Sequence, residues 1–205
     1  MKVVVLLASY NGERFVEEQL NSLVNQTYKD FAVFISDDNS NDNTLDIELR
    51  FAEKYPDLFF VSERTLGKRG AKNNFMDLCR KALQTDAEYF MFCDQDDVWA
   101  SDKIQMTIDK MCELENGDIP ILIHTDLVVT DRKLHTISAS FVNYKNIDPN
   151  CIKLNRLLIQ NNVTGCTVMI NRALLQKGLQ VKDVEKLVMH DWWFTLVACL
   201  FGKIE

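Results

Sequence analysis

Three short segments of this 205-residue sequence gather the side chains best able to do chemistry. Asp94-Gln95-Asp96-Asp97 packs three carboxylates into four residues directly after the apolar run Tyr89–Cys93. Like charges delivered so abruptly from a core are costly without a cation. Hard oxygen ligands suit Mg²⁺ or Mn²⁺, and Mg²⁺ typically takes one or two carboxylates plus substrate phosphates. Taken alone, the segment also reads as a solvated turn with a helix-capping aspartate. Asp37-Asp38-Asn39-Ser40 could accept a hydrogen bond from a nucleobase N–H, or be an ordinary turn ahead of a helix capped by Asn41-Asp42-Asn43. His190-Asp191-Trp192-Trp193 sets an ionisable pair beside two large aromatics that could wall a pocket and stack on a sugar or base. An aspartate near an apolar wall can be raised into a general base's range. The competing reading makes Asp191 a helix N-cap, with Trp192, Leu196 and Leu200 in the core.

The elements that must position these residues follow from periodicity. Over the first 130 residues, short apolar runs alternate with amphipathic stretches, the pattern of a parallel sheet covered on both faces, and hence of an α/β fold. Strands are expected at Val3–Ala8, Phe31–Ser36, Leu58–Ser62, Tyr89–Cys93 and Ile121–Val129. Helical stripes run through Val16, Leu20, Leu23 and Val24, through Phe75, Leu78, Cys79, Ala82 and Leu83, and through Ile104, Ile108 and Met111 with Ser101 as N-cap. Leu45, Leu49 and Ala52 form a weaker stripe before Tyr55-Pro56. In an open parallel sheet, ligands bind beyond the carboxyl ends of the strands. Ser9-Tyr10-Asn11-Gly12, Asp37–Ser40 and Asp94–Asp97 all stand at such ends. Further on, Asp131-Arg132-Lys133 reads as a turn and 136–152 as irregular, followed by a helix at Lys153–Gln160, a strand at Cys166–Ile170 and a helix at Asp191–Phe201. Ile204-Glu205 reads as the start of another strand, so a truncated domain is expected.

Composition narrows the function classes. With 47% hydrophobic and 26% charged residues, disorder is excluded, and a net charge of −7 argues against nucleic acid as a partner. A small phosphorylated ligand held through a cation remains compatible. The six cysteines show no C-x-x-C spacing and are expected to be reduced and mostly buried. The apolar N-terminal run is too short to span a membrane and no export signal is visible, so a cytoplasmic location is expected.

In this order the segments resemble the family 2 inverting glycosyltransferases of the GT-A fold. Val3–Asn11 is similar to the family's first strand, Gln26-Thr27-Tyr28 with Phe34–Ser40 to its second block, and Asp94-Gln95-Asp96 to its D-x-D motif. Asn162–Thr167 and His190–Trp193 resemble the rhamnosyltransferase-like branch, which builds cell-surface polysaccharides. The resemblance implies a mainly parallel mixed sheet flanked by helices in a single domain, with 1–130 binding the nucleotide sugar and 131–205 on the acceptor side. Asp38, with Ser9 and Tyr10, would hold the pyrimidine of a UDP- or dTDP-sugar. Asp94 would face the ribose or donor sugar, Asp96 would bind Mg²⁺ or Mn²⁺ on the diphosphate, and Asp191 would be the catalytic base. His190 would orient Asp191 or an acceptor hydroxyl. Asn11, Asp37, Gln95, Gly165 and Trp192 complete the expected substrate side. In Leu66–Asn74, Lys72 stands where the family often has an arginine, and with Asn73 would meet the diphosphate as a point charge. The implied acceptor is a saccharide or lipid-linked precursor, met in the cytoplasm or at the inner face of the membrane. By this resemblance, the family's segment beyond the expected catalytic aspartate would be almost entirely missing from these 205 residues.

Two other readings stay open. Met91–Val98 also fits a haloacid-dehalogenase-type phosphotransferase with Asp94 as nucleophile and Asp96 as acid/base, although there the motif normally opens the first strand. A catalytically silent nucleotide-sugar or carbohydrate receptor would use the same fold.

Overall fold

The computed structural model describes residues 1–64, 67–149 and 151–205. Leu66, which opens the segment ending at Asn74, and Asn150, within the stretch expected to be irregular, lie outside the described residues. In chain order the elements are β1 (Val3–Ser9), α1 (Val16–Val24), β2 (Phe31–Asp37), α2 (Thr44–Lys54), β3 (Phe59–Glu63), α3 (Ala71–Ala82), β4 (Tyr89–Asp94), α4 (Lys103–Leu114), β5 (Ile121–Ile123), β6 (Val129–Thr130), β7 (Thr136–Ser138), α5 (Phe141–Lys145), α6 (Leu154–Leu157), β8 (Met169–Asn171), α7 (Arg172–Gly178), α8 (His190–Phe201) and β9 (Lys203–Ile204).

A seven-stranded sheet has the order β3-β2-β1-β4-β8-β5-β9, and β6 pairs with β7 in a separate ribbon. The first four strands of that order are mutually parallel; β8 runs antiparallel to β4 and β5, and β9 parallel to β5. Strand order therefore reverses between β1 and β4, and the crevice beyond their carboxyl ends is where such a sheet binds ligands. β1 is apolar at nearly every position because both of its faces are covered. Val3, Val5 and Leu7 join one core cluster with α1, α2 and α4, whereas Val4 and Leu6 join the other with α3, α7 and α8. Each of these fully buried side chains contributes roughly 1.5–3 kcal/mol. Asn171 ties the far half of the sheet together: its side chain accepts from Ile121 N and Leu174 N and donates to Ile119 O.

Several expected elements differ. The Ile121–Val129 run breaks after Ile123 because Asp126 Oδ1 accepts from the amides of Leu127, Phe141 and Val142 and turns the chain. The stretch expected to be irregular contains β7 and α5, the latter capped by Ser140 Oγ and ended by Asn146 at φ 53°. The helix expected at 153–160 is the single turn α6, and the first half of the expected strand 166–170 is a 3₁₀ turn, Gly165–Thr167. Ser101 caps nothing; Asp102 precedes α4, without a side-chain cap bond. On α2 the buried residues are Thr44, Ile47, Glu48 and Phe51, while Leu49 is exposed. Ile204 does begin a strand, β9. All six cysteines are free thiols, but Cys79, Cys93 and Cys166 alone are buried and Cys112 is exposed. Among the described residues no helix is long and apolar enough to cross a membrane.

Candidate active site at the ends of the first and fourth strands

A cleft of about 570 Å³ lies at the strand-order reversal, lined at the end of β1 by Ser9 and the following Tyr10, from the β4 tip by Asp94, Gln95 and Asp96, and by Asp38, Arg69, Gly70 and Asn74. Asp38 is held from three sides. Its own amide donates to Ser9 O, and its buried carboxylate accepts from Arg64 Nη1 at 3.0 Å and from the Gly70 amide at 2.6 Å. Gly70 precedes α3 at φ 107°, a conformation that favours glycine and aims its N–H at Asp38. Arg64 also bonds Asp77 through Nε and Nη2, so the buried Asp38 charge is paired rather than stranded.

Asp37 is fully buried outside the cleft, where its carboxylate holds the Ser40 amide and hydroxyl. Asn11, at φ 50°, accepts from Asn41 N and gives its own amide to Ser40 Oγ. Both therefore shape the loops behind the cleft. Gln95 braces its rim: Tyr10 N donates to Gln95 Oε1 at 2.9 Å, and Gln95 Nε2 donates to Tyr10 O at 3.0 Å.

The carboxylates at the β4 tip press on one another. Burial first, and then Asp97, Asp96 and Asp191, push the Asp94 carboxyl up to about 7, and burial raises Asp97 as well. The Cys166 thiol beside them offsets part of each rise. Ligand atoms of Asp94, Asp97 and Cys166 lie within 4.8 Å of one another, and Asp96 opens on the cleft. The carboxylate oxygens fit a hard divalent cation, whose charge would relieve this repulsion. Cys166 fits it poorly, because burial drives its thiol pKa upward and keeps it protonated.

Asp191 sits in the first turn of α8 rather than at its cap, which is Met189. Burial raises its pKa, and the Trp192 amide and Asn161 Nδ2 hold its oxygens at 2.7 and 3.1 Å. Gly165 makes this approach possible: an added Cβ would lie 3.3 Å from Asp191 Cβ and 3.4 Å from His190 Nε2. His190 is buried, stacks on Phe75 at 4.0 Å, and has no hydrogen-bond partner on either ring nitrogen. Burial pushes it down to about 3, so it is a neutral ring in an aromatic cluster and makes no hydrogen bond to Asp191. Trp192 donates Nε1 to Leu157 O, and the core face of α8 is Phe194, Val197 and Ala198, with Leu200 exposed.

A family model, glycosyl transferase family 2, matches residues 4–179. The chain belongs to this family. Among curated relatives of this family-2 chain, the dTDP-rhamnosyl transferase RfbG of Shigella flexneri is 42% identical over 103 residues, covering 50% of this chain and 36% of its own length. The UDP-Glc:alpha-D-GlcNAc-diphosphoundecaprenol beta-1,3-glucosyltransferase WfgD of Escherichia coli is 28% identical over 174 residues, covering 84% and 61%. The chain thus spans less than two thirds of either. Among solved structures, S. aureus TarS 1-349 in complex with UDP has a TM-score of 0.66 at 22% identity, covering 100% of this chain and 57% of that one. The Pyrobaculum calidifontis mannosyltransferase PcManGT, in complex with GDP-Man and Mn²⁺, gives 0.67 at 20%, covering 99% and 53%. The fold is the GT-A fold.

Within this family-2 chain, the cleft gathers Ser9, Tyr10, Asp38, Asp94, Gln95 and Asp96 as expected, but not Lys72 or Asn73. Lys72 Nζ donates to Glu185 O and Leu187 O, and Asn73 Nδ2 to Arg69 O. Their neighbours line the cleft instead: Arg69, and Asn74, whose Nδ2 donates to Ser36 O. The sequence pattern singles out neither Asn74 nor Arg64; the signals available are a polar residue one turn ahead of Leu78 on the apolar stripe of α3 and an arginine just past the end of β3.

Proposed function

We propose that this chain carries the donor site and base of an inverting, divalent-cation-dependent glycosyltransferase. It moves a sugar from a UDP- or dTDP-sugar to a hydroxyl of a cell-surface polysaccharide or lipid-linked precursor, in the cytoplasm or at the inner face of the membrane. The observation that carries this reading is the convergence of Asp38, Asp94 and Asp96 on one cleft at the strand-order reversal, with Asp191 close enough to raise Asp94. Residues 1–130 supply the donor side and 131–205 the acceptor side.

In this reading Asp38 accepts from the pyrimidine N–H beside Ser9 and Tyr10, and Asp94 meets the ribose or donor sugar. Arg69 and the first turn of α3 face the diphosphate, in place of Lys72. Asp96, with Asp94, would hold Mg²⁺ or Mn²⁺, which supplies charge stabilisation for the departing diphosphate and makes a protein acid unnecessary. Asp191 takes the proton of the acceptor hydroxyl as its oxygen bonds the anomeric carbon. The bond from that carbon to the diphosphate oxygen breaks on the opposite face, which inverts the centre. Membership in the family sets the phosphotransferase reading aside.

Calorimetric titration with UDP and dTDP, each with and without Mn²⁺, tests the donor site. Metal-dependent binding of one of them is expected, lost in Asp96→Ala and kept in Asp191→Asn, which loses transfer. Wild-type turnover in Asp191→Asn would refute the assigned base, and absence of nucleotide binding would refute the donor site.

A further inference from the structure

Lys72 stands in the first turn of α3, the helix end where a cation is electrostatically misplaced, and no acidic residue accompanies it in that turn. Its ammonium is taken up by a distant part of the chain. Nζ donates to Leu187 O at 2.9 Å and to Glu185 O at 3.3 Å, carbonyls at the end of the 3₁₀ turn Val184–Lys186. Carbonyls at such an end need partners from outside the turn. Lys68 adds an exposed ion pair to the Glu185 carboxylate at 3.0 Å. Residues 184–189 lead directly into α8, whose first turn carries Asp191 and has no side-chain cap bond. Three residues beyond Lys72, Phe75 stacks on His190, the residue before Asp191. The other side of the same turn belongs to the donor cleft: Ala71 and Asn74 line it, and the preceding Gly70 amide holds Asp38.

We propose that Lys72 is a positioning residue for Asp191, fastening the approach to α8 onto the turn that frames the donor cleft; the proposal rests on the transferase reading above. The ammonium spends its bonds on two backbone carbonyls, so it acts on the base through the chain and makes no contact with the donor. One rigid turn of α3 thereby fixes the distance between donor and base, and a base misplaced by about 1 Å costs about a hundredfold in rate. The Trp192 amide, which donates to Asp191 Oδ1 at 2.7 Å, reports that placement directly.

The test compares wild type, Lys72→Met and Lys72→Arg. Methionine keeps the length of the stem at a half-buried position and removes the donors, whereas arginine keeps charge and donors. Hydrogen exchange of the Trp192 amide, followed by NMR, should quicken about tenfold or more in Lys72→Met and return towards wild type in Lys72→Arg. Calorimetric affinity for UDP or dTDP with Mn²⁺ should stay within about twofold of wild type in both variants. With UDP-glucose and dTDP-rhamnose as donors and water as acceptor, release of nucleoside diphosphate should show kcat lowered about tenfold or more in Lys72→Met, KM unchanged, and recovery in Lys72→Arg. Unchanged Trp192 exchange, an unchanged kcat, or no recovery with arginine would each overturn the proposal. So would weakened nucleotide binding in Lys72→Met, which would put the ammonium on the diphosphate. Failure of wild type to bind nucleotide or to release it from either donor would count against the transferase reading instead, with the exchange comparison still deciding whether Lys72 places Asp191.

Discussion

Replacing Glu48 with glutamine should remove much of the pH dependence of stability between pH 5 and 8. Glu48 is fully buried on α2, and neither carboxylate oxygen has a hydrogen-bond partner. Burial first, and then the charges of Asp37 and Asp42, push it from 4.5 up to about 8; the nearby Ser9 hydroxyl pulls the other way without reaching hydrogen-bond geometry. Between those values the native chain keeps a proton that the unfolded chain releases. Stability is therefore fully present below about pH 4.5 and falls as pH rises, by up to about 1.4 kcal/mol per unit. At pH 7 the accumulated loss is about 3 kcal/mol. Glutamine mimics the neutral carboxyl and cannot ionise, so Glu48→Gln should match wild type near pH 4.5 and exceed it by about 3 kcal/mol at pH 7, or about 6–12 °C in Tm for a chain of this size. Urea denaturation followed by circular dichroism from pH 4.5 to 8.5 gives the difference curve. Asp94, Asp97 and Asp191 are also raised and add to the slope of both proteins, so the difference isolates Glu48. A pH-independent difference would refute the reasoning.

Arg64→Met strands the Asp38 carboxylate in the interior and should cost about 3 kcal/mol or more by denaturant titration, with nucleotide affinity falling in parallel. Asn171→Ala removes two buried hydrogen bonds and one half-buried one at the β5–β8–α7 junction. It should destabilise by roughly 2–4 kcal/mol while leaving nucleotide affinity unchanged in the same calorimetric titration. Because burial raises Asp191, turnover should rise with pH through an acidic limb lying above the ordinary aspartate value of 3.8. A limb at that ordinary value in the kcat/KM profile would show that Asp191 is not the titrating base.

The parallel half of the sheet is legible because a strand covered on both faces has to be apolar at every position, as Val3–Leu7 and Tyr89–Cys93 are. The polar residues that follow these runs could therefore be placed at one edge before any coordinates. The face of α2 is not legible. Its buried row includes a carboxylate, Glu48, so Leu45, Leu49 and Ala52 outscore Ile47 and Phe51 as an apolar stripe although Leu49 points to solvent. After residue 123 the chain is shaped by side chains that bond backbone amides, Asp126 and Ser140 foremost, and such bonds leave no period to read. At the site, sequence places Asp38, Asp94 and Asp96 in the cleft, but the choice between Lys72-Asn73 and Arg69-Asn74 is a matter of helix phase. It is settled by the Lys72 bonds to residues 185 and 187.

The paired bonds between Gln95 and Tyr10 have an entropic consequence. The carboxamide presents one acceptor and one donor to the N–H and C=O of a single residue, as a neighbouring strand would, so the β1–β4 pairing gains one more rung made by a side chain. Two loops that would otherwise sample many conformations are thereby joined before anything enters between them. Ordering a side chain on binding costs about 0.5–1.5 kcal/mol, and here that cost is already met during folding. A residue of the same size without the amide, such as methionine, would leave the cleft its shape but return that freedom to its rim. The loss would register as a less favourable binding entropy rather than as a missing contact.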